Sequence, residues 1–404
     1  MTDSPPDPIS IVGGRFPTPS DQPARADRRR PLTFAGDRIV SNRATASAGH
    51  EIDADGLVVS PGFIDLQING GFGHDFAVDP AALWMVGALL PRHGVTGFLP
   101  TIVSSPIGRY GDAITALADR PNGYRGAEPL GLHFEGPMLS PRRPGAHRPE
   151  HLAAPAPAII EGWSRERGVA LVTLAPELVA AHEIIATLEQ RGVTVSAGHT
   201  AADAHTGRAA FDQGVTMVTH LFNAMEPMQH RAPGLAGVAL VDDRVSVGVI
   251  VDGVHVDPVM VALIWRAKGP DRVVLVTDAV AAMGLEPGRH RLGEVMVIAD
   301  GLSVRTENGT LAGSVLTMDA AVRNTVDQTG ADPGDVVAAA SVNPARLIGC
   351  ADRGRLDPGA MADIILLDDR LEVVMAICSG CPAYVTEQAR SRMGSGLKGW
   401  LGEE

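Results

Sequence analysis

At 404 residues, 45% hydrophobic and 20% charged, the chain has ordinary globular composition and is long enough for one large catalytic domain plus a smaller one, since single cores stop growing at about 250–300 residues. Its net charge of −13 argues against a nucleic-acid surface, which needs a basic stripe to displace counterions. Three late cysteines, Cys350, Cys378 and Cys381, do not make a disulfide framework, and Cys378-Ser379-Gly380-Cys381 lacks the second ligand pair of a zinc knuckle.

The start, Met1 to Asp7, has no cationic region followed by an apolar stretch, and no apolar run reaches the length of a membrane span. The expectation is a cytoplasmic protein without a membrane partner. The one basic cluster, Arg25 to Arg30, has Asp21 and Asp27 beside it and reads as a solvated loop.

In chain order, Ile9–Gly13, Pro31–Ile39 and Glu51–Val59 read as short strands separated by turns. From Pro61 to Asp278 the pattern changes to apolar, β-branched runs alternating with helical stretches. The runs are Gly62–Gln67, Val95–Val103, Leu130–Glu135, Val169–Leu174, Val193–His199, Val215–His220, Val245–Asp252 and Val273–Asp278. Helices are expected over Pro80–His93, Glu177–Arg191, Ala201–Gln213 and Pro258–Lys268, where Ala and Leu recur three or four apart. Gly70-Gly71-Phe72-Gly73 lacks the spacing of a dinucleotide fingerprint and reads as a flexible loop. Leu302–Leu311 carries Glu307-Asn308-Gly309, a type I′ hairpin signal. Asp363–Leu367 and Val373–Cys378 return to short strands.

Eight buried parallel strands alternating with helices predict an α/β fold, a (β/α)₈ TIM-like barrel, with a small β-sandwich domain built from both termini. The expected divisions are residues 1–60 for the first part of the small domain, 61–345 for the barrel, and 346–404 for the remainder and a tail.

Barrel enzymes carry their reactive groups at the C-terminal ends of the strands. Here those ends read His133-Phe134-Glu135, Gly198-His199-Thr200, Thr219-His220, Asp252-Gly253-Val254-His255 and Thr277-Asp278. Glu135, His199 and His220 form an N/N/O set that suits one divalent metal, Zn²⁺ first, with Fe²⁺, Mn²⁺ or Co²⁺ open to the same donors, and leaves a position for water. Asp278 emerges from an apolar strand onto the same rim and is the candidate general base and acid.

Pro61-Gly62-Phe63-Ile64-Asp65 resembles the first-strand signature of the amidohydrolase superfamily. His133-Phe134-Glu135-Gly136-Pro137, Ser196-Ala197-Gly198-His199-Thr200, Thr219-His220-Leu221-Phe222-Asn223-Ala224-Met225, Pro233-Gly234-Leu235-Ala236-Gly237, Asp252-Gly253-Val254-His255 and Val276-Thr277-Asp278-Ala279 resemble the motifs of its N-acetylglucosamine-6-phosphate deacetylase family. The resemblance implies hydrolysis of a phosphorylated N-acetyl hexosamine, in amino sugar catabolism or cell-wall recycling, with Glu135, His199 and His220 on the metal and Asp278 as catalytic acid/base. It further implies substrate contacts at Ala146, His147, Asn223, Ala224, His255, Leu311, Ala312 and Gly313. Arg231, with His230 beside it, would grip the phosphate across the interface of a homodimer or larger assembly. Gln67-Ile68-Asn69 stands where many amidohydrolases have His-x-His, and amides are poor metal ligands, so one metal is expected. Two rivals remain at this point: another amidohydrolase reaction, on the galactosamine epimer or a cyclic amide, and a catalytically silent sugar-phosphate-binding barrel.

Overall fold

The computed structural model describes residues 8–17, 30–41, 50–292 and 295–401. Arg25 to Arg29 of the basic cluster lie outside them. Eight parallel strands run in chain order around one sheet: Phe63–Ile68, Val95–Val103, Leu132–Glu135, Val169–Leu174, Thr194–Ala197, Val215–Val218, Ser246–Val249 and Val273–Leu275. The short Glu128–Pro129 segment pairs alongside the second of these. Each strand is buried along nearly its whole length because helices cover one face and the barrel interior fills the other.

The ladder between the eighth strand and the first forms only at the rim. There the Asp278 N–H donates to Gln67 O at 2.8 Å and the Asn69 N–H to Ala279 O at 2.7 Å. Beneath the mouth a hydrogen-bonded belt crosses the interior. His133 lies between Thr101 Oγ1 (3.1 Å) and Thr173 Oγ1 (2.8 Å), and Thr173 Oγ1 continues to Thr219 Oγ1 at 2.7 Å. Burial pulls His133 down to about 4, so it is a neutral member of this belt.

Local signals account for the covering helices. Pro258–Lys268 starts on Asp257, whose Oδ1 accepts the Val259 N–H at 2.8 Å, has Pro in its first turn, and stops at Gly269. Its Lys268 Nζ donates to Ala239 O (2.9 Å) and Asp242 O (2.7 Å) at the end of the preceding helix, Gly234–Val241. The helix expected from Ala201 begins at Ala204 because Asp203 caps it. That expected over Glu177–Arg191 covers Ala181–Gln190, and Pro80–His93 is one α-helix, Leu83–Leu89, flanked by 3₁₀ turns.

Both chain ends build the small β region, two four-stranded sheets sharing one apolar core. One holds Ile9–Val12, Leu32–Ala35, Arg38–Ser41 and Glu51–Asp53; the other holds Val58–Pro61, Ile364–Leu367, Val373–Cys378 and Cys381–Val385. Four expectations need correction. Pro31–Ile39 is not one strand but the start of a hairpin that reverses at Gly36-Asp37. Glu51–Val59 breaks at Gly56, whose φ of +77° turns the chain from one sheet into the other. Gly70–Gly71 is not a free loop: it pairs with His74–Asp75 as a small ribbon, tied down by Phe72 N–H to Met283 O at 2.7 Å. Around Asn308 the turn is not type I′, because Gly309 alone is at positive φ (+88°). The expected hairpin itself forms, with Arg305 paired to Leu311 and the Thr306 N–H donating to Thr310 O at 2.9 Å, and Val304–Thr306 also pairs with Val295–Ala299 in a three-stranded sheet that includes Gly288–Leu292.

Cys378 and Cys381 face each other across a hairpin as free thiols. No helix among the described residues is long and apolar enough to cross a membrane.

Arg353 joins the barrel's last segment to this β region by an ion pair with Asp363, whose other carboxylate oxygen accepts the Ser379 N–H at 2.8 Å. Burial pushes Asp363 up while Arg353 opposes it. Arg353→Met should leave that carboxylate uncompensated and cost about 3–5 kcal/mol of stability, measured by chemical denaturation. A loss below about 1 kcal/mol would mean that the pair is solvated, as surface pairs are.

Candidate active site

Strands five, six and eight end earlier than their sequence runs because the next residues leave extended backbone. His199, His220 and Asp278 have φ of +46°, +28° and +50°, a region costly for residues with a Cβ. Strained non-glycine backbone at three strand ends turns three side chains inward at the barrel mouth. Gly198 is required for a different reason: a Cβ there would lie 2.8 Å from Thr173 Cγ2 and 2.9 Å from Thr219 Cβ.

Glu135, His199 and His220 bring one ligating atom each to within 4.8 Å of one another, all buried. His220 Nε2 lies 3.1 Å from both Glu135 Oε1 and His199 Nε2, and His199 Nε2 is 3.3 Å from Glu135 Oε1. His199 Nδ1 donates to Arg143 O at 3.2 Å, which turns the Nε2 lone pair toward the other two atoms. Three electron-rich atoms therefore face a common point. Tetrahedral donors with bonds of about 2.0–2.1 Å stand about 3.3 Å apart, so the spacing fits a divalent ion. Burial would raise the Glu135 carboxyl, but hydrogen bonds and charge from His199 and His220 outweigh it and hold it well below the usual range. His220 Nδ1 is buried without a protein partner.

Asp278 is buried beside these donors. Its Oδ1 accepts from Asn69 Nδ2 at 2.7 Å and Gln67 Nε2 at 3.2 Å. Burial, then repulsion from Glu135, raises its pKa. His147 faces the centre from the loop after strand three, with Nε2 3.8 Å from Glu135 Oε2. Its Nδ1 accepts the Ser104 N–H (3.3 Å) and lies 2.9 Å from Ser104 Oγ. That assigns the proton to Nε2, and burial lowers the ring to about 3, keeping it neutral. His255 pairs Nδ1 with Asp252 Oδ2 at 2.6 Å, and Asp252 Oδ1 accepts the Val254 and His255 N–H groups, each at 2.8 Å.

These groups open into a cavity of about 980 Å³. Glu135, His199, His220 and Asp278 line it, as do Ala146, His147, Asn223, Ala224, His255, Leu311, Ala312 and Gly313. His230 and Arg231 do not: both are exposed on a turn closed by Gln229 and Ala232. Sequence reasoning missed Ser104, which follows strand two directly and was open to the same strand-end rule. It also missed Arg291, Arg305 and Thr306, cavity residues from the three-stranded sheet, where no barrel pattern points inward. Arg143 was invisible, because its part is played by a backbone carbonyl.

A parallel barrel with Glu, His, His and Asp gathered at the C-terminal mouth, three of them grouped as a metal ion would need, is the arrangement of a hydrolase of the amidohydrolase type. The amidohydrolase family matches residues 58–388. The chain is 42% identical to the N-acetylglucosamine-6-phosphate deacetylase of Danio rerio over 81% of its own length and 84% of the relative's. It is 38% identical to an N-acetylgalactosamine-6-phosphate deacetylase of Escherichia coli O157:H7, over 80% and 86%. The N-acetyl-D-glucosamine-6-phosphate deacetylase of Mycobacterium smegmatis, a mutant solved in complex with N-acetyl-D-glucosamine-6-phosphate, superposes with a TM-score of 0.84 at 34% identity, covering 94% of this chain and 100% of that one. The chain belongs to the amidohydrolase family, and within it to the N-acetylglucosamine-6-phosphate deacetylases.

His220→Ala should abolish tight binding of a divalent ion, read by elemental analysis of dialysed protein, with the circular dichroism spectrum unchanged. Metal content equal to that of the unaltered protein would remove His220 from the donor set.

Proposed function

We propose that this chain hydrolyses the acetamide of N-acetyl-D-glucosamine 6-phosphate to acetate and D-glucosamine 6-phosphate. The observation that carries the proposal is the placement of Glu135, His199, His220 and Asp278 around one point at the mouth of a large cavity, in a chain about 40% identical to enzymes of that name.

Glu135, His199 and His220 would hold one ion, with Zn²⁺ the first choice and Fe²⁺, Mn²⁺ or Co²⁺ alternatives for this donor set. When bound, the ion supplies Lewis acidity toward water and the acetamide carbonyl. Asp278 accepts a proton from the attacking water as its oxygen bonds the carbonyl carbon. It returns that proton to the sugar nitrogen as the C–N bond breaks, and the proton left on the new carboxyl group passes to the freed amine, so acetate and the ammonium form of the sugar leave. The raised pKa of Asp278 suits a group that must both take and release a proton. The neutral Nε2–H of His147 faces the centre and is placed to donate to the developing oxyanion. His255, held by Asp252, turns Nε2 toward the cavity to hold and polarise the acetamide or to meet a sugar oxygen.

Asn223 and Ala224 contact the sugar from the loop after strand six, with Ala146, Leu311, Ala312 and Gly313 closing the walls. Arg231, exposed and off its own cavity, reaches the phosphate of a neighbouring subunit in a homodimer, with His230 beside it. A planar guanidinium meets two phosphate oxygens at once.

The galactosamine epimer is the second reading, favoured by the 38% identity to the Escherichia coli enzyme. Acetate release measured across phosphorylated and free N-acetyl hexosamines tests both. The expected result is preference for N-acetylglucosamine 6-phosphate. Equal turnover of the unphosphorylated sugar would overturn the substrate assignment, and metal-loaded protein that binds but releases no acetate would leave a sensor.

In the same assay Asp278→Asn should lose about 10²–10⁴-fold in kcat with its metal retained. His147→Gln should lose about 10²–10³-fold, and turnover within threefold of the parent would exclude His147 as an oxyanion donor.

A further inference from the structure

Asp65, Gln67 and Asn69 alternate at the first barrel strand and its exit, so all three side chains project to the barrel interior. All are buried, and all reach the end of strand eight. Asp65 Oδ2 accepts from Thr277 Oγ1 at 2.5 Å, and Asp65 Oδ1 accepts the Thr277 N–H at 3.3 Å. The two protons on Gln67 Nε2 go to different carboxylates, Glu135 Oε1 at 3.1 Å and Asp278 Oδ1 at 3.2 Å. Asn69 Nδ2 adds a second donor to Asp278 Oδ1 at 2.7 Å. Asp278 Oδ2 accepts no hydrogen bond among the described residues.

We propose that Gln67 and Asn69 are positioning residues for proton transfer: their amide groups lock Oδ1 of Asp278 and leave Oδ2 as the oxygen that takes and returns the proton. The inference rests on the proton-carrying role of Asp278. Three observations support it. Asp278 sits at φ +50°, a conformation that persists only where its surroundings over-determine it. Gln67 stands between two carboxylates that repel each other, donating to both. Moreover, Gln67 Oε1 and Asn69 Oδ1 are buried without partners. Unsatisfied acceptors are rare in folded proteins, and here they accompany amide nitrogens that donate toward the site, with two bonds from Gln67 Nε2 and one from Asn69 Nδ2. Neutral amides also donate identically at every pH, which imidazoles in the same places would not.

The test uses the metal-loaded enzyme, with Gln67→Leu and Asn69→Leu made singly and in an Asp278→Asn background. At saturating metal each single variant should lose about 10–100-fold in kcat with KM and bound metal within twofold. Asn69→Leu should also keep its metal affinity, whereas Gln67→Leu, which frees Glu135 as well, should bind metal more weakly. In the Asp278→Asn background neither should cost more than a further twofold, because nothing remains to position. Asn69→Ser, too short to reach Oδ1, serves if the leucine variant does not fold, with the same expectation. Unchanged kcat, a loss that follows metal content, or an equal further loss in the Asp278→Asn background would overturn the proposal. Full activity of Asp278→Asn alone would overturn the proton-carrier role itself, an outcome distinct from the others.

Discussion

Three electron-rich atoms, from Glu135, His199 and His220, are held about 3 Å apart in a buried rim, and much of the mouth follows from keeping them there. Once both rings are unprotonated at Nε2, as metal binding requires, such a grouping is repulsive without a cation, so each donor has to be fixed from outside. Arg143 O orients His199, and Gln67 restrains Glu135. The Arg143 side chain in turn pairs with Glu226 at 2.6 Å, joining the loop after strand three to the loop after strand six. Outer partners of this kind set ring orientation and donor strength as much as the ligands do.

Strain is concentrated in the same place. His199, His220, Phe222, Ala224 and Asp278 are all at positive φ without being glycine. A barrel of parallel strands resists local relaxation because each strand is paired on both sides, and the closing bonds between strands eight and one lie next to Asp278 itself. The fold supplies the rigidity that costly backbone conformations require.

The histidines of the mouth divide by environment. His133 and His147 are both buried and neutral, yet one is consumed by threonine hydroxyls in the barrel interior and the other turns its proton to the reaction centre. His255 is tied to a carboxylate. Identical side chains thus become part of a structural belt, a neutral donor and a ring held by a carboxylate through their partners alone.

Strand order, the number of barrel units and the grouping of one glutamate and two histidines were legible in the chain because parallel strands buried on both faces read as largely apolar runs, and reactive groups follow them directly. Val95–Val103 and Val169–Leu174 have the ends the sequence implies. The Gln67 and Asn69 substitution was legible as a lost pair of imidazoles, but not as an amide hold on Asp278, since that contact spans 209 residues or more. The alternating residues of the sheet over Gly288–Thr306 gave no sign of which face covers the cavity, because a small sheet with apolar residues on both sides has no preferred interior until it packs. The tautomer of His147 was likewise decided only in three dimensions, by a backbone N–H from another strand end. Sequence by itself determined which chemical groups stand at the strand ends, through local periodicity. Tertiary structure decided which of their atoms point at one another, because that depends on strained backbone and on partners far away in the chain.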